Sequence, residues 1–248
     1  MTEIPLGSEE WHAAITGGTS VPQIVADIEN GRNAWYQTIL DATAPGESLL
    51  ELGCGTGVFS GLLAKNGRRT TLLDYSEETI GFCREVYRQA GLEGTFVHAD
   101  VLKPFPFADN ALDCVWSSGL LEHFTDEQLA FIMKESARVS RRAVISLVPN
   151  AAAVFYRIGK WYQESRGLWT WGREDPKGTL KPVFAHAGLA NVREFSIDAQ
   201  SAIRFVYPIR SKLLKYTLLT TARLTPHPLW AALNQGYLLV TMGSKAQG

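Results

Sequence analysis

The chain has 248 residues, 46% of them hydrophobic, with 24 Lys and Arg set against 25 Asp and Glu. That is enough chain and apolar content for one full core, and a near-neutral balance with pI about 6.5 argues against a nucleic-acid module. No run approaches the roughly 18–20 apolar residues of a membrane span, and no apolar stretch follows a basic start, so a soluble, cytoplasmic protein without signal peptide is expected. Three cysteines, Cys54, Cys83 and Cys114, form no C-x-x-C pair, and an odd number fits poorly with a secreted disulfide framework.

In chain order, Pro22 to Leu40 reads as helical, with Arg32, Asn33, Trp35 and Tyr36 near its middle; the last two either reach a ligand or pack on the domain. Pro45-Gly46 marks the boundary to a first strand, Leu49-Leu50-Glu51-Leu52. Gly53, Gly55 and Gly57 follow at alternate positions, so the strand turns into a helix with room for a ligand against bare backbone. The pattern is E-x-G-x-G-x-G and not G-x-G-x-x-G. An acid before the glycines repels a pyrophosphate and suits a positively charged ligand. Cys54 inside the turn reads as structural rather than nucleophilic.

Arg69 to Leu73 reads as a second strand, ending at Asp74, whose carboxylate is placed to accept from ribose hydroxyls. Ser76 is a plausible N-cap for a helix from Glu77 to Gln89. Thr95 to Ala99 is a third strand, ending in Asp100, with Val101 next; these suit an adenine amino group and the ring face. Ala111 to Ser118 is a fourth strand, and Thr125 with Gln128 has capping-box spacing for a helix to about Val139. Ala143 to Val148 is a fifth strand, ending at Pro149-Asn150. Val192 to Ile197 and Tyr237 to Met242 read as the last two. Alternating strands and helices predict an α/β doubly wound parallel sheet.

The charge is unevenly placed. Residues 1–150 hold 11 Lys and Arg against 20 Asp and Glu, whereas residues 151–236 hold 12 against 5. The basic portion is rich in aromatics, including Phe155, Tyr156, Trp161, Tyr162, Trp169 and Trp171. It reads either as a cap that recognises an anionic or aromatic substrate, or as a cap docked on the acidic core with its aromatics as packing. Ile209 to Leu224 partly follows helical spacing and carries only basic charge. It reads as an interfacial membrane helix, a buried lid helix or an oligomer contact, stopped by Pro226 and Pro228.

Leu50 to Gly57, Leu73-Asp74-Tyr75-Ser76, Phe105 to Asp113, Leu120-Leu121-Glu122-His123-Phe124 and Val148-Pro149-Asn150 together resemble the class I S-adenosylmethionine-dependent methyltransferases. The resemblance is to the small-molecule enzymes typified by those of ubiquinone and menaquinone biosynthesis, and it is close over about residues 45–150. It implies a Rossmann-like seven-stranded sheet of order 3-2-1-4-5-7-6 with strand seven antiparallel. It also implies one domain: an N-terminal helical lid at 1–44, a cofactor-binding core at 45–150, and a cap at 151–236 interleaved with the last strands. The cofactor implied is S-adenosyl-L-methionine, held by Glu51, Gly53, Gly55, Gly57, Asp74, Tyr75, Asp100, Val101 and Ser117 or Ser118.

Methyl transfer to a small-molecule acceptor follows as the expected function, with O- or C-methylation favoured. A protonated acceptor needs a base, and His123, after the fourth strand, is the candidate. Tyr156, Tyr162, Glu174 and His186 are weaker alternatives from the cap. No metal-ligand pairing is evident, so a metal site is not expected. The alternatives are a methyltransferase acting on protein or RNA, a non-catalytic S-adenosylmethionine-binding protein, and, disfavoured by the glycine spacing, a nicotinamide oxidoreductase.

Overall fold

The apolar runs that end in acids become the inner strands of one sheet. The computed structural model describes residues 7–31, 34–225 and 227–245. β1 (Ser48–Leu52) lies between β2 (Arg69–Asp74) and β4 (Leu112–Ser118), pairing parallel to both. Beyond β2 lies β3 (Thr95–His98), and beyond β4 lies β5 (Ser140–Pro149), again parallel. β7 (Leu238–Lys245) pairs antiparallel with β5 and with β6 (Leu189–Ile197). The order is therefore β3-β2-β1-β4-β5-β7-β6, as expected.

Helices cover both faces, which is why these strands are apolar nearly throughout. Leu50, Leu52, Val115 and Val144 face Ile132 and Met133 of α6 (Asp126–Val139). Leu49, Cys114, Trp116 and Ile145 face Ile39 and Leu63, from α3 (Ala34–Asp41) and α4 (Val58–Lys65). A third cluster joins Ile24 and Ile28 of α2 (Val21–Asn30) to Leu72 and to Ile80, Cys83 and Val86 of α5 (Glu77–Ala90). The two expected helix starts are present. Ser76 Oγ accepts from the Thr79 N–H at 3.2 Å, and Thr125 makes a capping box with Gln128.

Several boundaries differ from the sequence reading. The segment from Pro22 to Leu40 is two helices, because Gly31 follows Asn30 in extended conformation; Arg32 and Asn33 lie outside the described residues. β6 starts at Leu189, three positions before Val192. Asn191, at φ 50°, sits where the register with β7 shifts between Ala190 and Arg193, so the alternation breaks there.

In the region expected to form the cap, α7 (Val154–Ser165) before β6 packs with α9 (Ala199–Arg204), α10 (Lys212–Leu224) and α11 (His227–Ala232) between β6 and β7, whereas α8 (Lys181–His186) packs through Phe184 in the main core with α6 and β6. Tyr156, Phe205 and Tyr237 lie with ring centroids 4.9–5.1 Å apart, and Trp169 lies 6.4 Å from Phe205. Most of the cap aromatics are thus packing. α10 is not a buried lid: of its residues only Ala222 is buried. Pro226 lies outside the described residues, and Pro228 falls within α11. Among the described residues, no helix is long and apolar enough to cross a membrane.

Candidate active site

Strand order reverses between β1 and β4, and the crevice this leaves at the carboxyl ends of the strands is where α/β sheets take ligands. β1 runs out at Leu52 into the glycine turn. Gly53, Gly55 and Gly57 have φ values of 65°, 53° and 72°, in the left-handed region that a side chain strains. Space is tight as well, so a side chain would make its neighbours shift. A Cβ on Gly53 would lie 2.8 Å from Leu120 Cδ1, and one on Gly57 3.0 Å from Cys83 Sγ. The N–H groups of Gly53 and Cys54 donate to Leu73 O, tying the turn to the end of β2. Gly57 then caps α4.

A cavity of about 300 Å³ opens beside this turn. Gly53, Asp74, Tyr75, Asp100 and Val101, at or just after the ends of β1, β2 and β3, line it together with Gly119, Leu120, His123 and Phe124, which follow β4, and Trp11 and Ile15 of α1 (Ser8–Thr16). Asp74 is 6% exposed, and burial raises its carboxyl above the usual range. Its Oδ1 accepts from the Ser76 N–H at 3.0 Å and its Oδ2 from the Gly55 N–H at 3.4 Å, so the acid is held in place. Asp100 is fixed by the Leu102 N–H at 2.9 Å. Tyr75 lies between the two acids in sequence, and burial with their charge pushes its phenol up to about 12.

The remaining expected cofactor residues do not line the cavity. Glu51 is 3% exposed and accepts from the Ser60 hydroxyl at 2.5 Å; burial pushes its carboxyl up to about 8. Gly55 and Gly57 shape the turn and do not line the cavity. Ser117 donates to Ser146 Oγ at 3.5 Å, whereas Ser118 Oγ, at the end of β4, is buried with no hydrogen-bond partner among the described residues. Cys54 stays structural: the Cys83 thiol, 3.8 Å away, and burial push its thiol well above the usual range.

His123 ends a short 3-10 turn, Leu121–His123. Its Nδ1 lies 2.5 Å from the Arg173 carbonyl, so Nδ1 carries the proton in the neutral ring and Nε2 is left as the acceptor. Burial lowers its pKa, against the pull of that carbonyl. Glu122 beside it is 2% exposed, held well above the usual range by burial, and its Oε2 has no partner among the described residues. Of the cap alternatives, the Tyr156 hydroxyl donates to Glu174 Oε1, and Tyr162 accepts from the Arg210 N–H at 3.1 Å. His186 lies elsewhere, in a groove with Asp126, Leu129 and Pro182.

Sequence reasoning missed Trp11, Ile15 and the burial of Glu122. It left Trp35 and Tyr36 open. Trp35 donates to Asp198 Oδ2 at 2.9 Å and packs on Phe59 and Tyr237, so it supports the fold. Among the described residues, no group of acids, histidines or cysteines could hold a metal ion.

This donor set fits a nucleoside with a positively charged tail: two carboxylates for hydroxyls and base, bare glycine backbone, a buried acid behind it, and an orphaned hydroxyl at the β4 end. The sheet order and this site define a Rossmann-like, class I methyltransferase fold. Residues 49–143 match the family model described as Methyltransferase domain. That part of the chain is similar to the same region of S-adenosylmethionine-dependent methyltransferases, whose cofactor is S-adenosylmethionine.

It is similar to malonyl-[acyl-carrier protein] O-methyltransferase of Serratia marcescens, 31% identical over 129 residues that make up 52% of this chain and 48% of that one. It is also similar to the fatty-acid O-methyltransferase of Mycolicibacterium smegmatis, 34% identical over 132 residues, or 51% of this chain and 45% of that one. The chain spans about half the length of the curated relatives it matches. A S-adenosylmethionine-dependent methyltransferase from Archaeoglobus fulgidus shares the fold, with a TM-score of 0.59 at 17% identity over 91% of this chain and 95% of that one.

Proposed function

We propose that this protein transfers the methyl group of S-adenosylmethionine to a small-molecule acceptor, with oxygen or carbon as the receiving atom. The observation that carries the reading is that Asp74, Asp100 and His123 line one cavity. When bound, S-adenosylmethionine would supply an electrophilic methyl carbon on a sulfonium, with a neutral thioether as its leaving group. Asp74 and Asp100 orient the nucleoside end. Gly53 lets it approach the backbone, and Trp11, Ile15 and Leu120 exclude water from the reacting end.

His123 Nε2 takes the proton of a hydroxyl or acidic-carbon acceptor as the new bond forms. The lowered pKa keeps that nitrogen unprotonated at neutral pH. Two of the curated relatives are named for oxygen methylation of acyl compounds, which makes acyl compounds a class to screen. A carboxylate acceptor is already ionised at neutral pH, so the role of His123 applies to hydroxyl and acidic-carbon acceptors. A cytoplasmic setting belongs to the same reading, supported by three buried, unpaired cysteines.

The test is mass spectrometry of a metabolite and acyl-compound panel incubated with protein and S-adenosylmethionine, followed by kinetics of the hit with His123→Asn. The expected result is one product heavier by a methylene and a kcat lowered by about 100-fold in the variant, with cofactor affinity little changed. Equal kcat in the two proteins across pH removes His123 from the chemistry. Transfer only to protein or RNA would contradict the small-molecule assignment.

A further inference from the structure

We propose that α10 docks the protein on anionic membrane surfaces. Its inner face is accounted for, since Leu218, Leu219 and Ala222 pack in the cap core. Its outer face is not covered by the protein. Leu213 is 83% exposed, Tyr216 63% and Leu224 76%. They line one shallow groove along the helix together with Lys212, Thr217 and Thr220, at the three- and four-residue spacing of a single helical face. Single exposed apolar residues are ordinary, but a stripe of three on a 13-residue helix, about 20 Å long, is a surface.

Charge selects the occupant. After Asp198 the sequence holds no Asp or Glu, while Arg204, Arg210, Lys212, Lys215 and Arg223 follow in and around α10. A second copy meeting this face about a twofold axis would bring like charges together. An anionic bilayer complements them, and the apolar stripe enters the boundary between headgroups and acyl chains. The helix is too short to cross, so it lies in the plane of the surface. Docking needs neither methyl donor nor acceptor, so this inference stands apart from the proposed reaction.

The test is co-sedimentation of the full chain with vesicles of phosphatidylcholine alone or mixed with phosphatidylglycerol, at rising salt. The expected result is binding to the mixed vesicles at least about tenfold tighter than to phosphatidylcholine, weakening as salt is added. Leu213→Ser with Tyr216→Ser should cost about tenfold on the mixed vesicles. Lys212→Gln with Arg223→Gln should remove most of the preference for the anionic lipid. Both pairs lie on exposed positions, so thermal melts should match the wild type and show that the variants fold. Absent binding to mixed vesicles, or equal binding by wild type and both variants, overturns the proposal. A wild-type dimer by light scattering that Leu213→Ser with Tyr216→Ser converts to monomer, without vesicle binding, also overturns it and assigns the face to self-association.

Discussion

The Trp11 indole meets the His123 imidazole edge to face, with ring centroids 4.7 Å apart and planes at 76°. This contact joins α1 to the turn after β4 at the cavity, since both residues line it. Trp11→Ala is therefore expected to weaken S-adenosylmethionine binding by about tenfold, through lost apolar cover, while the thermal melt changes little. Titration calorimetry on the variant checks this; unchanged affinity would mean that α1 does not cover the ligand.

Asp74 has two duties, and they separate by substitution. Asp74→Ala removes both a carboxylate that lines the cavity and the acceptor for the Ser76 and Gly55 N–H groups. It should cost about 1–3 kcal/mol of cofactor binding. Asp74→Asn keeps an acceptor oxygen for the turn, and its thermal melt should lie closer to wild type than that of the alanine variant.

Glu51 predicts a pH dependence of stability. Its carboxyl titrates near 8 when folded and near the ordinary 4.5 when unfolded, so between these values the folded state alone holds the proton. Folding is thus favoured by Glu51 at low pH, and that stability is lost as pH rises from about 4.5 toward 8, at about 1.4 kcal/mol per pH unit. Glu51→Gln cannot ionise. The melting temperature of the ligand-free variant relative to wild type should rise steadily from pH 5 to pH 8, as followed by circular dichroism.

Gly57→Ala tests the turn itself. A φ of 72° costs an L-residue about 1–2 kcal/mol, and the new methyl would meet Cys83 Sγ at 3.0 Å and Leu72 Cδ2 at 3.1 Å. The variant should unfold at lower denaturant. Gly46→Ala also has positive φ but nothing within 4 Å of its Cβ, and it should lose less.

The sheet order and the cavity-lining positions of Gly53, Asp74 and Asp100 were legible because a parallel strand writes its end locally, as an apolar run closed by an acid or a glycine, whereas His123, in the turn after β4, was legible through the family resemblance. Trp11 was not legible. Its role depends on where α1 packs against α5 and the turn after β4, and nothing in its neighbours encodes that. Glu122 stood in plain view beside His123, yet its meaning lies in burial, which comes from the packing around it and not from residue type. Asn191 hid the start of β6 by breaking the two-residue alternation on which strand reading depends.

The measurement that bears most directly on the central claim is titration calorimetry of the intact protein with S-adenosylmethionine, S-adenosylhomocysteine and the two nicotinamide dinucleotides. One-site binding of both adenosylated amino acids, weakened in Asp74→Ala and Trp11→Ala, is the predicted result. Tight binding of a nicotinamide dinucleotide, with neither adenosylated amino acid bound, would contradict it.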